Sequence, residues 1–238
     1  METLLWLAQI GNLEIHPWYS RTNPEPDARM LPTTFSGSVQ ALEASALNYP
    51  DCMVFDLDPY LYSGAEQGGE EPELHRRGFA QVCIVARWLK TLLDELGLEA
   101  FVKTSGKSGL HVLVPILRQF DYDAVRGISA QICRFVLEQH PETLTMDWAV
   151  DRRRGKVFLD HNQNTRGKTL ASPYSPRALD GAPVSMPVRW AELEDIYPTQ
   201  FRIGTVVDRL AGVGDIWSDV LKCKNDLTAA AAAWSTVA

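Results

Sequence analysis

Two aspartates at the end of an apolar segment constrain this chain more than any other feature of its sequence. Residues 51–57 are apolar and β-prone, and Pro59 ends the segment, so Asp56 and Asp58 fall at the end of a predicted strand. Residues two apart on a strand project from one face, which sets the two carboxylates side by side. Their repulsion raises a pKa, and Mg²⁺ or Mn²⁺ would relieve it, because hard cations prefer carboxylate oxygen. The alternative is that Asp58-Pro59 only opens a turn while Asp56 caps a neighbouring element.

A third carboxylate, Asp160, ends a later predicted strand over residues 156–160. Next to Asp56 and Asp58 it would complete a two-metal site, in which one ion activates an attacking hydroxyl and the other holds a triphosphate. Taken alone, Asp160 could equally be a turn residue. No sequence rule makes these strands neighbours, so the grouping remains a hypothesis at this point.

Residues 103–111 have the composition of a phosphate-binding loop between two predicted strands, residues 100–103 and 111–116. Glycines there would let backbone N–H groups approach an anion, with hydroxyls, lysines and a histidine around them. The candidate residues are Lys103, Ser105, Gly106, Lys107 and His111. The Walker spacing is absent, so a polar hairpin is the alternative, with His111 an ordinary histidine at the start of a strand.

Basic residues cluster between positions 150 and 180, although the chain has a formal net charge of −7. An acidic chain does not coat nucleic acid by bulk attraction, so contact with a polyanion requires a local patch such as this one. The cluster comprises Arg152, Arg153, Arg154, Lys156, Arg166, Lys168 and Arg177. Arg177, in a proline-flanked loop, is the best candidate for a bidentate phosphate contact. We assign the run 152–154 to solvation or diffuse attraction of DNA.

Helical periodicity predicts two long helices, over residues 74–96 and 122–139, and a short helix followed by a strand over residues 4–15. With the strands above, they predict an α+β fold with a mixed or antiparallel sheet flanked by helices. The stretch 60–73 is expected to be an exposed acidic loop.

The predicted catalytic domain spans residues 1–220, and residues 221–238 form a C-terminal tail that frays in its Ala-rich part. The four cysteines lie far apart without a CxxC pair, so zinc and disulfides are not expected. No apolar stretch is long enough for a membrane span and the start lacks a basic signal region, which predicts a cytoplasmic protein with no membrane partner.

Several short segments in a fixed order resemble the polymerase domain of bacterial ligase D, a member of the archaeo-eukaryotic primase-polymerase superfamily. The likeness covers most of residues 4–217. The matching segments are 5–7, 13–18, 20–21, 54–59, 101–115, 157–160, 166–169, 171–177, 181–185, 189–190 and 214–217.

This resemblance implies a primase-like catalytic core and a template-dependent nucleotidyltransferase that adds NTP or dNTP to a 3′ end in non-homologous end joining. Asp56, Asp58 and Asp160 would hold two Mn²⁺ or Mg²⁺ ions. The implied nucleotide-binding residues are His16, Lys103, Ser105, Gly106, Lys107, His111 and Arg177. The implied partners are DNA ends with a template strand, an ATP-dependent DNA ligase and a Ku-like end-bridging protein.

Three departures from the family pattern accompany the likeness. The family has a further N-terminal stretch that supplies a nucleotide-binding lysine, template-binding aromatics and basic residues for a 5′-phosphate, so we expect this chain to be N-terminally truncated relative to it. Gln163 stands where an arginine is common, which removes some phosphate or metal-site support. The acidic stretch 60–73 is longer than usual.

Two other functions remain as alternatives. A phosphohydrolase could use Asp56 as nucleophile, but such sites have a threonine shortly after the second aspartate, and here Pro59-Tyr60 follows. A catalytically weak module of the same fold could bind DNA ends or a repair partner. Metal-dependent nucleotide binding would separate that module from an enzyme.

Overall fold

A six-stranded sheet forms the centre of the computed structural model, which describes residues 2–34 and 36–237. Its strands are β1 (Cys52–Pro59), β2 (Phe101–Thr104), β3 (Leu110–Pro115), β4 (Leu144–Thr145), β5 (Val157–Asp160) and β6 (Pro187–Val188). They lie in the order β4-β5-β1-β3-β2-β6, and every neighbouring pair is antiparallel except the parallel pair β4 and β5. The predicted α+β fold with a mixed sheet is confirmed.

Six α-helices accompany the sheet in the described part of the chain. They are α1 (Glu2–Gln9), α2 (Val39–Glu43), α3 (Arg76–Glu95), α4 (Tyr122–Gln139), α5 (Ile203–Val213) and α6 (Leu227–Val237). Helices α3 and α4 pack against each other and against β1. The apolar stripe of α3 lies in the core, as the helical spacing predicts, and Gly97 with a φ of 69° follows the end of the helix.

Strand β1 presents different chemistry on its two faces. Met53, Phe55 and Leu57 are fully buried in the main core with residues of α3. On the opposite face Cys52 and Val54 belong to a smaller apolar cluster, and Asp56 and Asp58 continue that face toward the end of the strand. The two carboxylates therefore lie beyond the apolar part of one sheet face.

Two terminal segments differ from expectation. The helix at the start is present, but the strand predicted to follow it is not, because residue 15 bonds to a loop instead: Ser172 N donates to Ile15 O at 2.8 Å. Where fraying was expected, α6 has Leu227 and Ala230 buried in the core. The Asn225 side chain fixes this segment by donating from Nδ2 to Pro115 O at 2.6 Å.

Three of the four cysteines, Cys52, Cys83 and Cys133, are buried free thiols, and Cys223 is half-buried and also free. Burial raises the pKa of the Cys52 and Cys83 thiols to about 12. Within the described residues, no helix combines the length and apolar character needed to cross a bilayer.

Candidate active site

Strand register places four charged or polar side chains in a row across the sheet. Asp56 of β1 lies directly opposite Asp160 of β5 on one side and His111 of β3 on the other, and His111 lies opposite Lys103 of β2. Directly opposite residues on antiparallel strands share a face, with Cβ atoms about 5 Å apart. Asp58 follows on the same face two residues along β1. The structure thus brings together the three aspartates that the sequence could not place as neighbours.

The Asp56 carboxylate is largely enclosed but not fully buried. Its side chain is 12% exposed, and its Oδ1 atom is buried without a hydrogen-bond partner, 3.4 Å from His111 Nε2. The Oδ2 atom accepts a hydrogen bond from Gln163 Nε2 at 3.3 Å. Asp160 is buried and its Oδ1 accepts from the Asn162 backbone N–H at 2.8 Å. A buried carboxylate oxygen without a donor requires another positive partner.

The charged forms of all three carboxyls are disfavoured in the protein alone. Burial raises the pKa of Asp56 well above its usual value, and the charges of Asp58 and Asp160 raise it further. Burial is also the main reason that the pKa of Asp58 rises to about 6, against an opposing effect of Lys107. The pKa of Asp160 is raised by burial as well. A cation at this cluster would offset the effect of burial, because an opposite charge favours the charged form of a carboxyl group.

The donor set of this cluster fits a divalent cation. Three carboxylates supply only oxygen, the ligand type that Mg²⁺ prefers and Mn²⁺ accepts, and the unpartnered Oδ1 of Asp56 lies among them. Across residues 2–34 and 36–237, no three acidic, histidine or cysteine side chains already converge closely enough to hold an ion. An ion would therefore have to draw the aspartate side chains together.

Lys103 lies behind the site and contacts it through His111. Lys103 is fully buried, with Nζ 2.6 Å from His111 Nδ1, and it also donates to the Ser185 hydroxyl. Burial lowers the pKa of both Lys103 and His111. Where Lys103 Nζ donates to Nδ1, a neutral His111 carries its proton on Nε2, the atom that faces Asp56. Ser185 is a part of this arrangement that the sequence analysis did not identify.

The loop between β2 and β3 folds around the hydroxyl of Ser105. Its Oγ accepts from the backbone N–H groups of Lys107 and Gly109, both at 3.1 Å. A Cβ on Gly109 would lie 2.2 Å from Leu57 O, so this glycine permits the loop to lie against β1. Gly106 has a φ of 76°, and a Cβ there would lie 2.7 Å from Arg177 Cγ. These glycines serve the packing of the loop next to the aspartates.

Arg177 and His16 meet through Glu14, a residue that the sequence analysis did not single out. Arg177 donates from Nη1 to Ser105 O at 2.7 Å and from Nε to Glu14 Oε2 at 3.1 Å. The same Oε2 lies 2.8 Å from His16 Nε2, and Glu14 Oε1 accepts from the Ala178 N–H at 2.6 Å. That N–H is the main cause that lowers the pKa of Glu14 to about 2. Its sequence signals were its place two residues before His16 and its position in the matching segment 13–18.

A cleft of about 250 Å³ opens over the row of aspartates. Seven of the residues predicted for the site line it: His16, Asp56, Asp58, Ser105, Lys107, His111 and Arg177. Asp160 lies beside the lining through its pairing with Asp56, whereas Gly106 and Lys103 stand behind the lining residues. Glu71 of the acidic loop also enters the cleft, where its Oε2 lies 2.7 Å from Lys107 Nζ. The acidic loop therefore covers part of this opening.

Gln163 and Asn164 support the row from the segment after β5. Gln163 bridges Asp56 Oδ2 to the Tyr19 hydroxyl, which donates to Gln163 Oε1 at 3.3 Å. The Asn164 side chain bonds to both the N–H and the carbonyl of Val54, as a neighbouring strand would. These long-range contacts could not be read from the local sequence.

One member of the predicted basic cluster is buried. Arg153 is 6% exposed and lies over the Phe158 ring, with its carbon Cζ 3.5 Å from the ring centroid. It donates to the carbonyls of Asp147 and Trp148 at 2.8 and 2.7 Å. The assignment of Arg153 to solvation or diffuse DNA attraction is therefore wrong, because its charge is satisfied inside the protein. Arg152, with a side chain 69% exposed, does face solvent.

An exposed aromatic ring lies beside the remaining basic residues. The Trp148 side chain is 61% exposed, and Lys168 Nζ lies 6.0 Å from its ring centroid. The Trp148 ring also lies edge-on to the Phe158 ring, with centroids 6.3 Å apart, and Phe158 of β5 lies directly opposite Asp58 of β1, so this surface adjoins the aspartates. It lies on the β4–β5 side of the row, while Arg177 and the loop between β2 and β3 lie on the other.

Comparison with known proteins shows that the sequence of this chain is similar to bacterial proteins named for non-homologous end joining. Residues 1–217 match the family described as the LigD primase-polymerase domain. The chain is 32% identical over 233 residues to the multifunctional non-homologous end joining protein LigD of Pseudomonas aeruginosa, covering 96% of this chain and 23% of that protein. It is 28% identical over 228 residues to the bifunctional non-homologous end joining protein LigD of Bacillus subtilis, covering 95% of this chain and 31% of that protein.

A solved structure shows that the similarity extends to the fold. The polymerase domain of Mycobacterium tuberculosis ligase D in complex with DNA superimposes with a TM-score of 0.73 and 28% sequence identity, covering 93% of this chain and 68% of that one. The sequence of M. tuberculosis LigD is 32% identical over 213 residues, covering 90% of this chain and 24% of that protein. The chain thus spans less than a third of the length of these full-length relatives.

Proposed function

The chain belongs to the family of LigD primase-polymerase domains, and from that premise we propose that it is a template-dependent nucleotidyltransferase that adds NTP or dNTP to a DNA 3′ end. The observation that carries the proposal is the row Asp160–Asp56–His111, which opens into a cleft whose lining also includes the basic side chains Lys107 and Arg177. We assign the activity to residues 1–220 and its use to non-homologous end joining, the process named for the relatives.

In this proposal the triphosphate lies on the side of the cleft formed by the loop between β2 and β3. Lys107 and Arg177 supply positive charge there, and Arg177 is already fixed against Ser105 O. His111 Nε2–H faces both Asp56 and the cleft, so it can donate to a phosphate oxygen between them. Lys103 acts on the nucleotide only through His111.

Asp56, Asp58 and Asp160 are the residues that would hold two Mn²⁺ or Mg²⁺ ions. When bound, such ions would supply activation of the 3′-hydroxyl and charge balance for the triphosphate. The protein's own contribution is to fix the Asp56 carboxylate through Gln163 and the Asp160 carboxylate through the Asn162 N–H. This fixed geometry would align the primer end with the nucleotide.

The DNA partner is proposed on the β4–β5 side of the row, where Lys168 and Trp148 lie near Asp160. That side is opposite to the proposed triphosphate side, as an in-line transfer between a primer end and a nucleotide requires. The structurally similar M. tuberculosis domain is itself in complex with DNA. We also propose an ATP-dependent DNA ligase and a Ku-like end-bridging protein as partners, in a cytoplasmic, nucleoid-associated setting.

The test is extension of a labelled primer on a gapped, 5′-phosphorylated template with Mn²⁺ and each nucleotide triphosphate. The wild type should extend the primer, and Asp56→Asn and Asp58→Asn should lose extension by about a thousandfold or more, because each removes one ligand charge from the centre. Asp123→Asn, which changes an 83% exposed carboxylate on α4, is the matched control and should retain full activity.

Two outcomes would count against this assignment. Unchanged extension in both Asp56→Asn and Asp58→Asn would remove the aspartates from the reaction. Binding of DNA and Mn²⁺-nucleotide by the wild type without any addition would favour the non-catalytic binding module instead.

A further inference from the structure

We propose that Glu14 is a positioning residue of the nucleotide site, whose carboxylate holds Arg177 and His16 in the orientation in which they receive a triphosphate. This inference rests on the proposed function and assigns a role to a residue outside the aspartate row. Glu14 itself is not required to touch the nucleotide.

The contacts of Glu14 join two parts of the site that are 163 residues apart in sequence. Its Oε2 accepts from Arg177 Nε at 3.1 Å and lies 2.8 Å from His16 Nε2. Its Oε1 accepts from the backbone N–H of Ala178 at 2.6 Å. One carboxylate therefore fixes two cleft-lining side chains and the backbone next to one of them.

Glu14 leaves the phosphate-binding part of Arg177 unoccupied. Glu14 takes only Nε and the Ser105 carbonyl takes Nη1, while Nη2 makes no hydrogen bond to any described residue. The guanidinium is thus held at two of its three nitrogens and still lines the cleft. A side chain that is already ordered loses less conformational freedom when an anion binds, so the affinity for that anion is higher.

Glu14 also determines how His16 can act. A carboxylate can only accept, and the pKa of Glu14 is lowered to about 2, so His16 must carry a proton on Nε2. With Nε2 bonded to Glu14, the His16 ring can contact other groups through its opposite edge, which carries Nδ1. The orientation of His16 in the cleft therefore depends on a residue two positions away.

A competing possibility is that Glu14 only occupies Arg177 until a phosphate displaces it. The geometry favours positioning, because Glu14 Oε1 is bonded to backbone and only one of its oxygens reaches Arg177. The surrounding segment also stays docked without Glu14, since Ile15 N donates to Ser175 Oγ at 2.9 Å and Ile15 O accepts from Ser172 N at 2.8 Å. A substitution at Glu14 should therefore change the site and leave the fold intact.

The experiment compares Glu14→Ala and Glu14→Gln with wild type in primer extension at saturating primer and varied nucleotide. Glu14→Ala should raise KM for the nucleotide about tenfold, the effect of losing one charge-assisted hydrogen bond, while kcat changes by less than about threefold. Glu14→Gln should give a smaller increase in KM, because its amide oxygen still accepts one hydrogen bond. Glu95→Gln, at the exposed end of α3, is the control and should behave as wild type.

A double-mutant cycle tests whether Glu14 acts through Arg177. In an Arg177→Ala background, Glu14→Ala should raise KM by less than about threefold further, because its main target is absent. Fully additive increases, an unchanged KM, or tighter nucleotide binding in Glu14→Ala would each overturn the positioning role. Thermal melting of each variant confirms that the fold is intact.

The failure of this inference can be separated from the failure of the proposed function. If the wild type does not extend primers, equilibrium binding of a fluorescent nucleotide triphosphate with Mn²⁺ replaces KM in the same cycle. Weaker binding in Glu14→Ala, with no further loss in the double mutant, would still support the positioning role. A wild type that binds no nucleotide would overturn both.

Discussion

At the scale of single residues, the site concentrates negative charge where the protein supplies little to balance it. Asp56 Oδ1 is buried without a hydrogen bond, and burial raises the pKa of Asp56, Asp58 and Asp160. An arrangement of this kind destabilises the metal-free protein at neutral pH, because charged carboxylates are held in a poorly solvated place. Function and stability therefore oppose each other at these positions.

This opposition predicts that Asp58→Asn stabilises the protein in metal-free buffer at pH 7.5. The folded-state pKa of Asp58, about 6, lies above the ordinary 3.8, so the folded state binds more protons between these values and the wild type loses stability as pH rises through them. Asparagine does not titrate, and its advantage at pH 7.5 should be on the order of 1 kcal/mol, since Asp58 is partly exposed. Denaturant unfolding at pH 4 and pH 7.5 measures it. Equal differences at both pH values would contradict the prediction.

Site residues were predictable from the sequence where their role depends on residues close to them in the chain. The spacing of Asp56 and Asp58 on one strand implied a shared face, and both line the cleft. The role of Glu14 was not predictable and Gln163 was noted only through the family resemblance, because their roles come from contacts to Arg177 and Asp56 across more than a hundred residues. Nothing in their immediate neighbours in sequence indicates such partners.

At the scale of elements, the loop between β2 and β3 packs closely against the end of β1. The backbone of Gly109 lies so close to β1 that a Cβ would meet Leu57 O at 2.2 Å and Asp58 Oδ1 at 2.9 Å. The Ser105 hydroxyl holds the loop in this position by accepting from the Gly109 N–H. The position of the loop and the position of Asp58 are therefore coupled.

Gly109→Ala should consequently damage stability and activity together. The added methyl must push the loop away from β1 at a cost of about 1–3 kcal/mol, and it should also reduce primer extension because Asp58 and the loop shift apart. Gly127→Ala on α4 is the matched control: apart from its chain neighbours and the backbone of its own helix, no atom of the described residues lies within 4 Å of the added Cβ, and alanine favours a helix. Thermal melting and extension assays of both variants measure the effects. A Gly109→Ala protein as stable as wild type would contradict this prediction, because it would show that the loop can move away from β1 without loss of stability.

The elements themselves were predictable in proportion to their length and regularity. Helices α3 and α4 and strand β1 have periodic apolar residues, and the structure has them close to the predicted bounds. The two-residue strands β4 and β6 were missed, because they exist only through pairing with β5 and β2. Pairing partners of that kind leave no periodic pattern in a short segment.

At the scale of the whole molecule, the aspartate row separates two surfaces of different character. One carries Arg177 and Lys107 around the cleft, and the other carries Lys168 and the exposed Trp148 ring near Asp160. In a chain with a net charge of −7, these local surfaces are the places suited to polyanions. The two substrates of the proposed reaction would thus approach from opposite sides.

Trp148→Ala should weaken binding of primer–template DNA and leave KM for the nucleotide unchanged. Stacking of a base on an aromatic ring contributes about 1–3 kcal/mol, so the expected loss of DNA affinity is about tenfold. Fluorescence anisotropy of labelled DNA at constant salt measures it, and Trp148→Phe should retain most of the affinity. Wild-type DNA affinity in Trp148→Ala would place the DNA on another surface.

The arrangement of the whole sheet was beyond local sequence patterns. Strand β5 follows β1 by about a hundred residues in the chain yet lies next to it, and only that pairing brings Asp160 to Asp56. The Asn164 side chain reinforces the placement by bonding to the Val54 backbone. The resemblance to a known family supplied what periodicity could not.

Because strand register determines the row, the site should respond very differently to insertions and to deletions along the gene. Extra residues between β1 and α3, as in the long acidic loop 60–73, change neither the pairing of Asp56 with Asp160 nor that with His111. Deletion of one residue inside β1 would instead exchange its faces, turning Leu57 toward the cleft and Asp56 and Asp58 toward the core. Evolution can therefore alter the rim of this active site freely, while the spacing within its central strand has almost no room to vary.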